Sequence, residues 1–289
     1  MPLLASLLSF LIVPDRLFYQ PDGAVSISLN ASVAQALKVN GANGKLVLID
    51  ASGNKLGETE ISFDAESIDL SQKLPEIWKQ KQAVYVQAQN GDGQSVGSAL
   101  VVVPLYPPDA QRRVYVTEPF GLRIYPEVFG VMDTTEGEFT MQFTPEYAPN
   151  TVNNFMQLIA GGMYTNVKFH RILPGFVIQG GDPLGSGLGG PGYSIDLEAS
   201  SKKHKEGTLS MARSRDPDSA GSQFFVCLSE EGCVHLNNQY AAFGDVVKGM
   251  DVVRKIAATP LSDANMGTPA KAPMIKSAKL IPADPRSVN

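Results

Sequence analysis

The chain has 289 residues, 43% hydrophobic and 18% charged, with a formal net charge of −5. That length accommodates two ordinary domains or one large one, and that balance excludes a disordered chain. The acidic charge leaves no basic footprint, so nucleic acid is not expected as a partner.

Residues 3–13 form a short apolar stretch, too short to span a bilayer and of the length of a signal-peptide core. No Lys or Arg precedes it and no small-x-small cleavage site follows it. An export segment and a first strand or short helix of the chain's own domain are both open readings. Residues 1–13 acting in export would place the protein in the cell envelope or periplasm; otherwise it is cytoplasmic. Val25–Leu29 then alternates with period two, Lys45–Ile49 ends at the turn cluster Asp50–Asn54, and Ala83–Ala88 alternates again before Asn90–Gly93. Short strands with such turns predict a small antiparallel β-sandwich over residues 1–103, similar in pattern to bacterial immunoglobulin-like modules. Trp78, the only tryptophan, is expected in or beside that core, with carbohydrate contact as its alternative role. Pro104, Pro107 and Pro108 interrupt the pattern and place a domain boundary at 104–113, with 104–127 as a proline-rich linker and lead-in.

Beyond the boundary, Gly130–Thr134 and Glu138–Phe143 read as a hairpin. Val152, Phe155, Met156 and Ile159 lie on one face of a helix that begins at Pro149 and stops at Gly161-Gly162. A second helix fits Met250–Ala257, with Met250, Val253 and Ile256 on one side, and Ala272–Ile281 fits a closing strand. Gly185–Gly190 matches G-x-G-x-x-G, but Pro191-Gly192 follows and no helical period comes after, so it reads as a surface loop and not a nucleotide site. His204, in Ser-Lys-Lys-His-Lys-Glu, reads as a solvated turn residue. Of the two cysteines, Cys227 falls in an apolar run and Cys233 in a polar one. Two free thiols are the plainer reading, and a short-loop disulfide is the alternative. The three histidines have no metal-ligand spacing, so neither a metal nor a cofactor is expected.

Three separated runs carry the most information. Residues 169–182 read Phe-His-Arg-Ile-Leu-Pro-Gly-Phe-Val-Ile-Gln-Gly-Gly-Asp. Gly-Thr-Leu-Ser-Met-Ala-Arg (207–213) leads to Gly-Ser-Gln-Phe-Phe-Val-Cys (221–227). Leu-Asn-Asn-Gln-Tyr-Ala-Ala-Phe-Gly (236–244) completes the set. In this order and spacing they resemble the core of a cyclophilin, the peptidyl-prolyl cis-trans isomerase family, over roughly residues 128–282. The resemblance implies a mainly β fold for residues 128–289: an eight-stranded antiparallel barrel capped by two helices. It also implies an enzyme that accelerates X-Pro rotation in proline-containing segments of client proteins, with no cofactor.

The chemistry suits those residues. Resonance holds the X-Pro bond flat behind a barrier of about 20 kcal/mol. In the twisted state the proline nitrogen becomes a better acceptor, so a donor aimed at it binds the transition state more strongly than the ground state. Arg171 cannot deprotonate and carries five N–H groups in a rigid fork. The resemblance makes Arg171 that donor and Gln179 its steering partner. It makes Phe176, Val177, Phe225 and Leu236 the proline pocket, with Phe225 facing the pocket and Phe224 the core. Gln223 and the main chain of Ala212 and Arg213 would hold the peptide backbone, with His235 and Tyr240 at the rim. Val177, Arg213, His235 and Tyr240 stand where the best-known eukaryotic members carry Met, Asn, Trp and His. These choices look like the bacterial branch and imply weak cyclosporin binding. The competing readings are a non-catalytic proline-peptide scaffold and a protein whose main function lies in an adhesive or targeting N-terminal domain.

Overall fold

The computed structural model describes residues 10–21, 23–36, 44–63, 65, 67–106 and 119–289. Residues 3–9 of the apolar stretch and most of the expected linker, 107–118, lie outside them. The chain divides into two compact units. One extends to Val128 and also includes Pro282–Asn289; the other is Phe129–Ile281. The second unit is thus inserted between two pieces of the first.

In the first unit, β1 (Ile12–Pro14), β3 (Ser26–Leu29) and β6 (Ile68–Asp69) make a three-stranded sheet in the order β1-β3-β6. A six-stranded sheet comprises β2 (Phe18–Tyr19), β4 (Gly44–Ile49), β5 (Lys55–Ile61), β7 (Val84–Gln89), β8 (Ser95–Leu105) and β9 (Gly121–Pro126). Its order is β2-β9-β8-β7-β4-β5, and every pairing is antiparallel. Two short helices, α1 (Ala31–Ala36) and α2 (Leu70–Lys73), complete this unit. Alternate residues Leu46, Leu48, Val84, Val86, Leu100 and Val102 enter one apolar cluster, joined by Ile12 and Ile27, and Trp78 packs against it. The opposite face of β7 is covered by the chain's C-terminal residues. Arg286 lies 3.3 Å over the Tyr85 ring, and its backbone N–H donates to Gln87 Oε1. Its guanidinium grips the buried Glu127 carboxylate through two bonds of 2.8 and 2.7 Å.

The expected boundary is corrected on three points. Pro104 lies inside β8, opposite Leu122, where the β7 pairing has already ended at Val84–Val102. A proline is tolerated at such a place. The lead-in residues Leu122, Ile124 and Tyr125 are buried on β9, an interior strand of the N-terminal sheet. The last eight residues belong to the N-terminal unit and not to the domain expected at 128–289. Of the apolar N-terminal stretch, Ile12–Pro14 pairs with β3, and Leu11 and Ile12 are buried.

The second unit begins with the hairpin β10 (Val128–Thr134) and β11 (Gly137–Phe143), then α3 (Pro149–Ala160). There follow β12 (Val167–Lys168), β13 (Arg171–Leu173), β14 (Val177–Gly180), β15 (Thr208–Met211) and β16 (Phe224–Cys227). A single-turn helix, α4 (Glu230–Cys233), leads to β17 (Ala242–Lys248), α5 (Met250–Ala257), the small pair β18 (Leu261–Asp263) and β19 (Thr268–Pro269), and β20 (Met274–Pro282). The main sheet is antiparallel in the order β12-β20-β10-β11-β17-β15-β16-β14-β13. A bridge between Lys168 of β12 and Asp182, two residues past β14, links the first strand of that order to the far side, so the sheet curls onto itself. Nine strands enter this sheet among the described residues, where eight were expected; the extra count comes from short pieces, since β12 has two residues and β13 three.

The expected helices α3 and α5 are both present. Val152, Phe155, Met156 and Ile159 of α3 are buried, whereas on α5 Val252 is buried with Val253 and Ile256, and Met250 is only half-buried. The residue before α3, Ala148, offers no capping side chain, and Glu198 serves instead, accepting from the N–H groups of Asn150 and Thr151 at 3.0 and 2.7 Å. A carboxylate there also complements the helix dipole. Inside the curl, Phe155 meets Phe143, Tyr164, Phe224 and Phe243 at ring distances of 6.0, 4.9, 5.3 and 4.7 Å.

Candidate active site

The hairpin of β13 and β14 sets Arg171 directly opposite Gln179. Arg171 Nη1 donates to Gln179 Oε1 at 3.3 Å, and Gln179 Nε2 donates to Gln223 Oε1 at 3.0 Å. Gln223 in turn donates to the carbonyls of Gly187 and Gly189, both at 2.9 Å. A line of amides therefore runs from the guanidinium to the glycine-rich loop. That loop folds around the Asp182 carboxylate, which accepts from the N–H groups of Leu184, Ser186 and Gly187. Burial works against ionisation of Asp182, but these backbone donors outweigh it and hold its pKa below the ordinary carboxylate value. Gly181, between Gln179 and Asp182, has φ +86°, and a Cβ there would sit 2.4 Å from the Ser222 carbonyl oxygen, so only glycine fits.

Beside the guanidinium lies an apolar wall. Val177, Phe225 and Leu236 are 2%, 4% and 5% exposed and cluster with Phe176, Ala212 and Tyr240. The pairing of β16 with β14 and β15 turns Phe225 to this side and Phe224 into the dry interior. Phe225 meets Tyr240 edge-on at 6.0 Å, and the Arg213 guanidinium stacks over Tyr240 at 4.4 Å. At the other side Phe176 faces His235, ring centres 5.3 Å apart. Together these residues line a cavity of about 610 Å³.

Ten of the eleven residues expected at the site line this cavity: Arg171, Phe176, Val177, Gln179, Ala212, Arg213, Phe225, His235, Leu236 and Tyr240. Gln223 lines an adjoining cavity of about 480 Å³ that shares Gln179, Gly187, Ala212 and Arg213 with the first. The Ala212 N–H donates to the Gln223 carbonyl at 2.9 Å, so an added peptide strand would have to use other main-chain groups of this edge. The sequence reading missed His170, Met266 and Thr268, which also line the cavity. His170 is half-buried, and burial pushes its pKa below the ordinary imidazole value against the pull of Asp182. Its place next to Arg171 was a signal. Met266 and Thr268 arrive on the β18–β19 turn, held to β13 where Ile172 N–H donates to Gly267 O at 2.7 Å. Nothing local in the sequence marks that approach.

One further expectation changes, and the plainer reading of the cysteines holds. His204 is fully buried behind Phe225 and not solvated. Cys233 is buried like Cys227, and both are free thiols in the same cluster as the pocket wall. They hydrogen-bond to each other, which together with burial raises the Cys227 thiol and, from the accepting side, lowers Cys233.

A curled antiparallel barrel with a peptide-sized cleft, apolar on one side and rimmed by a fixed guanidinium, defines the class of protein. A family model described as cyclophilin type peptidyl-prolyl cis-trans isomerase/CLD matches residues 129–280, a little over half of the chain. A peptidyl-prolyl cis-trans isomerase of Synechococcus elongatus is 42% identical over 128 residues, covering 44% of this chain and 86% of that protein. Peptidyl-prolyl cis-trans isomerase B of Bacillus subtilis is 44% identical over 115 residues, 39% of this chain and 78% of the relative. The crystal structure of a cyclophilin type isomerase from Cryptosporidium parvum superimposes with a TM-score of 0.50 at 32% identity, over 55% of this chain and 99% of that one. The chain belongs to the cyclophilin-type peptidyl-prolyl cis-trans isomerase family. Its activity is cis-trans isomerisation of X-Pro bonds, and the non-catalytic scaffold is not favoured.

Proposed function

We propose that Arg171 is the donor to the twisted proline nitrogen, and that Phe225, Val177, Leu236 and Phe176 grip the proline ring while the preceding carbonyl swings. One observation carries this reading: the chain of amides from Gln179 to Gln223 holds the guanidinium at the rim of the apolar wall. A donor fixed before the bond turns needs no reorganisation as the nitrogen gains its lone pair, so its contribution falls on the transition state. Gln179 steers Arg171, and Gln223, Ala212 and Arg213 line the path of the client backbone. His235 and Tyr240 border the pocket. Clients are polypeptides with accessible X-Pro segments.

For the N-terminal unit the reading is an immunoglobulin-like sandwich of its two sheets, with a targeting or client-presenting role. Cyclosporin binds weakly, because His235 offers less apolar area than the tryptophan of better-known members.

The test is turnover of a proline tetrapeptide by wild type and Arg171→Ala. The variant should lose about a hundredfold in kcat/KM, equivalent to about 2.7 kcal/mol, with an unchanged melting temperature. Near-normal turnover would remove Arg171 from the role.

A further inference from the structure

Behind the pocket wall lies a polar side chain that the reading above leaves unused. His204 is 0% exposed, and its ring stacks on Phe225, centres 6.2 Å apart and planes 18° from parallel. Both ring nitrogens are engaged: Nδ1 is 3.2 Å from Asn237 Oδ1 and Nε2 is 3.1 Å from Ser210 Oγ. Asn237 Oδ1 also accepts the His204 backbone N–H at 2.8 Å, which identifies it as the carbonyl oxygen of the amide. Nδ1 therefore carries the proton, and in the neutral ring that burial favours, Nε2 accepts from the Ser210 hydroxyl. Burial lowers the His204 pKa, and the nearby His235 and Lys202 act in the same direction against the Asn237 bond.

The three groups tied together belong to different parts of the pocket. Ser210 sits opposite Phe225 in the β15–β16 register, two residues before Ala212. Asn237 starts the turn that joins Leu236 to Tyr240, and Asn238 beside it adopts a left-handed φ of 61°. Hydrocarbon alone would let that turn slide over Phe225, since dispersion contacts have little direction. Two hydrogen bonds in a dry environment do have direction, and a buried group left without its partner is unfavourable.

We propose that His204 is a positioning residue for isomerisation. Through Ser210 and Asn237 it fixes the Phe225 ring and the Leu236–Tyr240 turn in one arrangement, so that a gripped proline nitrogen lies in reach of Arg171. The proposal rests on the reading of Phe225 as the pocket floor and Arg171 as the donor. His204 touches no substrate. Its effect falls on alignment in the twisted state and not on ground-state affinity.

The test is His204→Phe, which keeps a stacking ring of similar size but leaves Ser210 and Asn237 without their partners. Turnover of a proline tetrapeptide should show kcat lowered about tenfold with KM changed less than twofold. In protein with ¹³C-labelled phenylalanine, the Phe225 ring signals should broaden or split. His204→Asn, whose amide restores the donor to Asn237, should recover part of kcat and sharpen those signals. If His204→Phe does not fold, Ser210→Ala decides, with the same split expected at about threefold. A lower melting temperature with kcat, KM and the Phe225 signals unchanged would make His204 purely structural and overturn the proposal. Arg171→Ala is measured alongside. If it keeps full turnover, the reading of the site fails; if it loses turnover while the His204 and Ser210 variants keep theirs, only the present proposal fails.

Discussion

Phe224 and Phe225 are neighbours on one strand and meet opposite surroundings. Phe224 points into a closed interior, against Phe155, Tyr164 and Phe169 at ring distances of 5.3, 5.7 and 6.3 Å. Phe225 points toward an open cavity, whose wall must keep its shape without close packing across it. The closed side is held mainly by packing, with one polar anchor where the Tyr164 hydroxyl donates to the Ser222 carbonyl at 3.0 Å. The open side is braced from behind by directional contacts: Arg171–Gln179–Gln223 along one edge and Ser210–His204–Asn237 along the other. A binding surface that cannot rely on full packing is kept in place by polar groups, and each is buried enough to make its bonds specific.

The sharpest way to break this comparison is Phe224→Ala. Removing a fully buried aromatic should destabilise the second unit by about 3–5 kcal/mol, read as a lowered denaturation midpoint. A loss under about 1 kcal/mol would mean that the closed side is not the stabilising one. Next in size is Arg171→Lys, which keeps the charge but lacks the fork that can bond Gln179 and the nitrogen together. Turnover should stay at least tenfold below wild type, about 1.4 kcal/mol, with the melting curve unmoved. Full activity in the lysine variant would make charge alone sufficient on the open side.

A smaller effect concerns His235 at the rim, against Phe176. His235→Trp adds apolar area, and at about 25 cal/mol per Å² this should tighten cyclosporin by about 1 kcal/mol. Isothermal titration would measure it, and an unchanged Kd would place the side chain outside the drug's footprint. The gentlest test uses pH. Burial lowers the His204 pKa below its ordinary value of roughly 6.5, so the unfolded chain binds the proton first as the medium acidifies. Its contribution is complete above about pH 6.5 and is lost below. Burial raises the Tyr164 phenol on the closed side, so its contribution is lost as pH climbs past roughly 10. Thermal melts across pH should therefore lose the His204 contribution at the acid end and the Tyr164 contribution at the alkaline end. Tyr164→Phe should flatten only the alkaline limb.

Much of this was readable from residue order. The Val152–Ile159 periodicity marked α3, and the strands around Val25, Lys45 and Ala83 were found because one face is apolar and the other mixed. β8 was missed in its centre because Ala99–Val103 is buried on both faces, so no alternation shows. Pro104 looked like a break because its ring was weighed without its position, past the end of the β7 pairing. At the site, Arg171, Gln179 and Phe225 were recognisable because the motifs that carry them are contiguous. Met266 and Thr268 reach the cavity from residues far along the chain, and His204 sits in a lysine-rich run whose composition points outward while its own ring points in. Independence of the two units is best tested on residues 129–281, which leave β9 with its partner β8. That piece should fold and turn over peptide, and an insoluble product would mean that the units share a core.

The grip of Arg286 on Glu127, Gln87 and Tyr85 has a consequence for timing. On the ribosome, β7, β9 and Glu127 are synthesised well before the residue that covers them. Roughly 160 residues separate Glu127 from Arg286, and at about 5–20 residues per second their synthesis takes on the order of 10–30 s. Most of that interval is spent making the catalytic unit, whose last residue, Ile281, comes only a few positions before Arg286, so both units have their whole sequence at nearly the same moment. The fold whose residues come first in the chain is thus the last to be closed, and its proline-bearing sheet waits through the synthesis of the whole catalytic unit for its final strap.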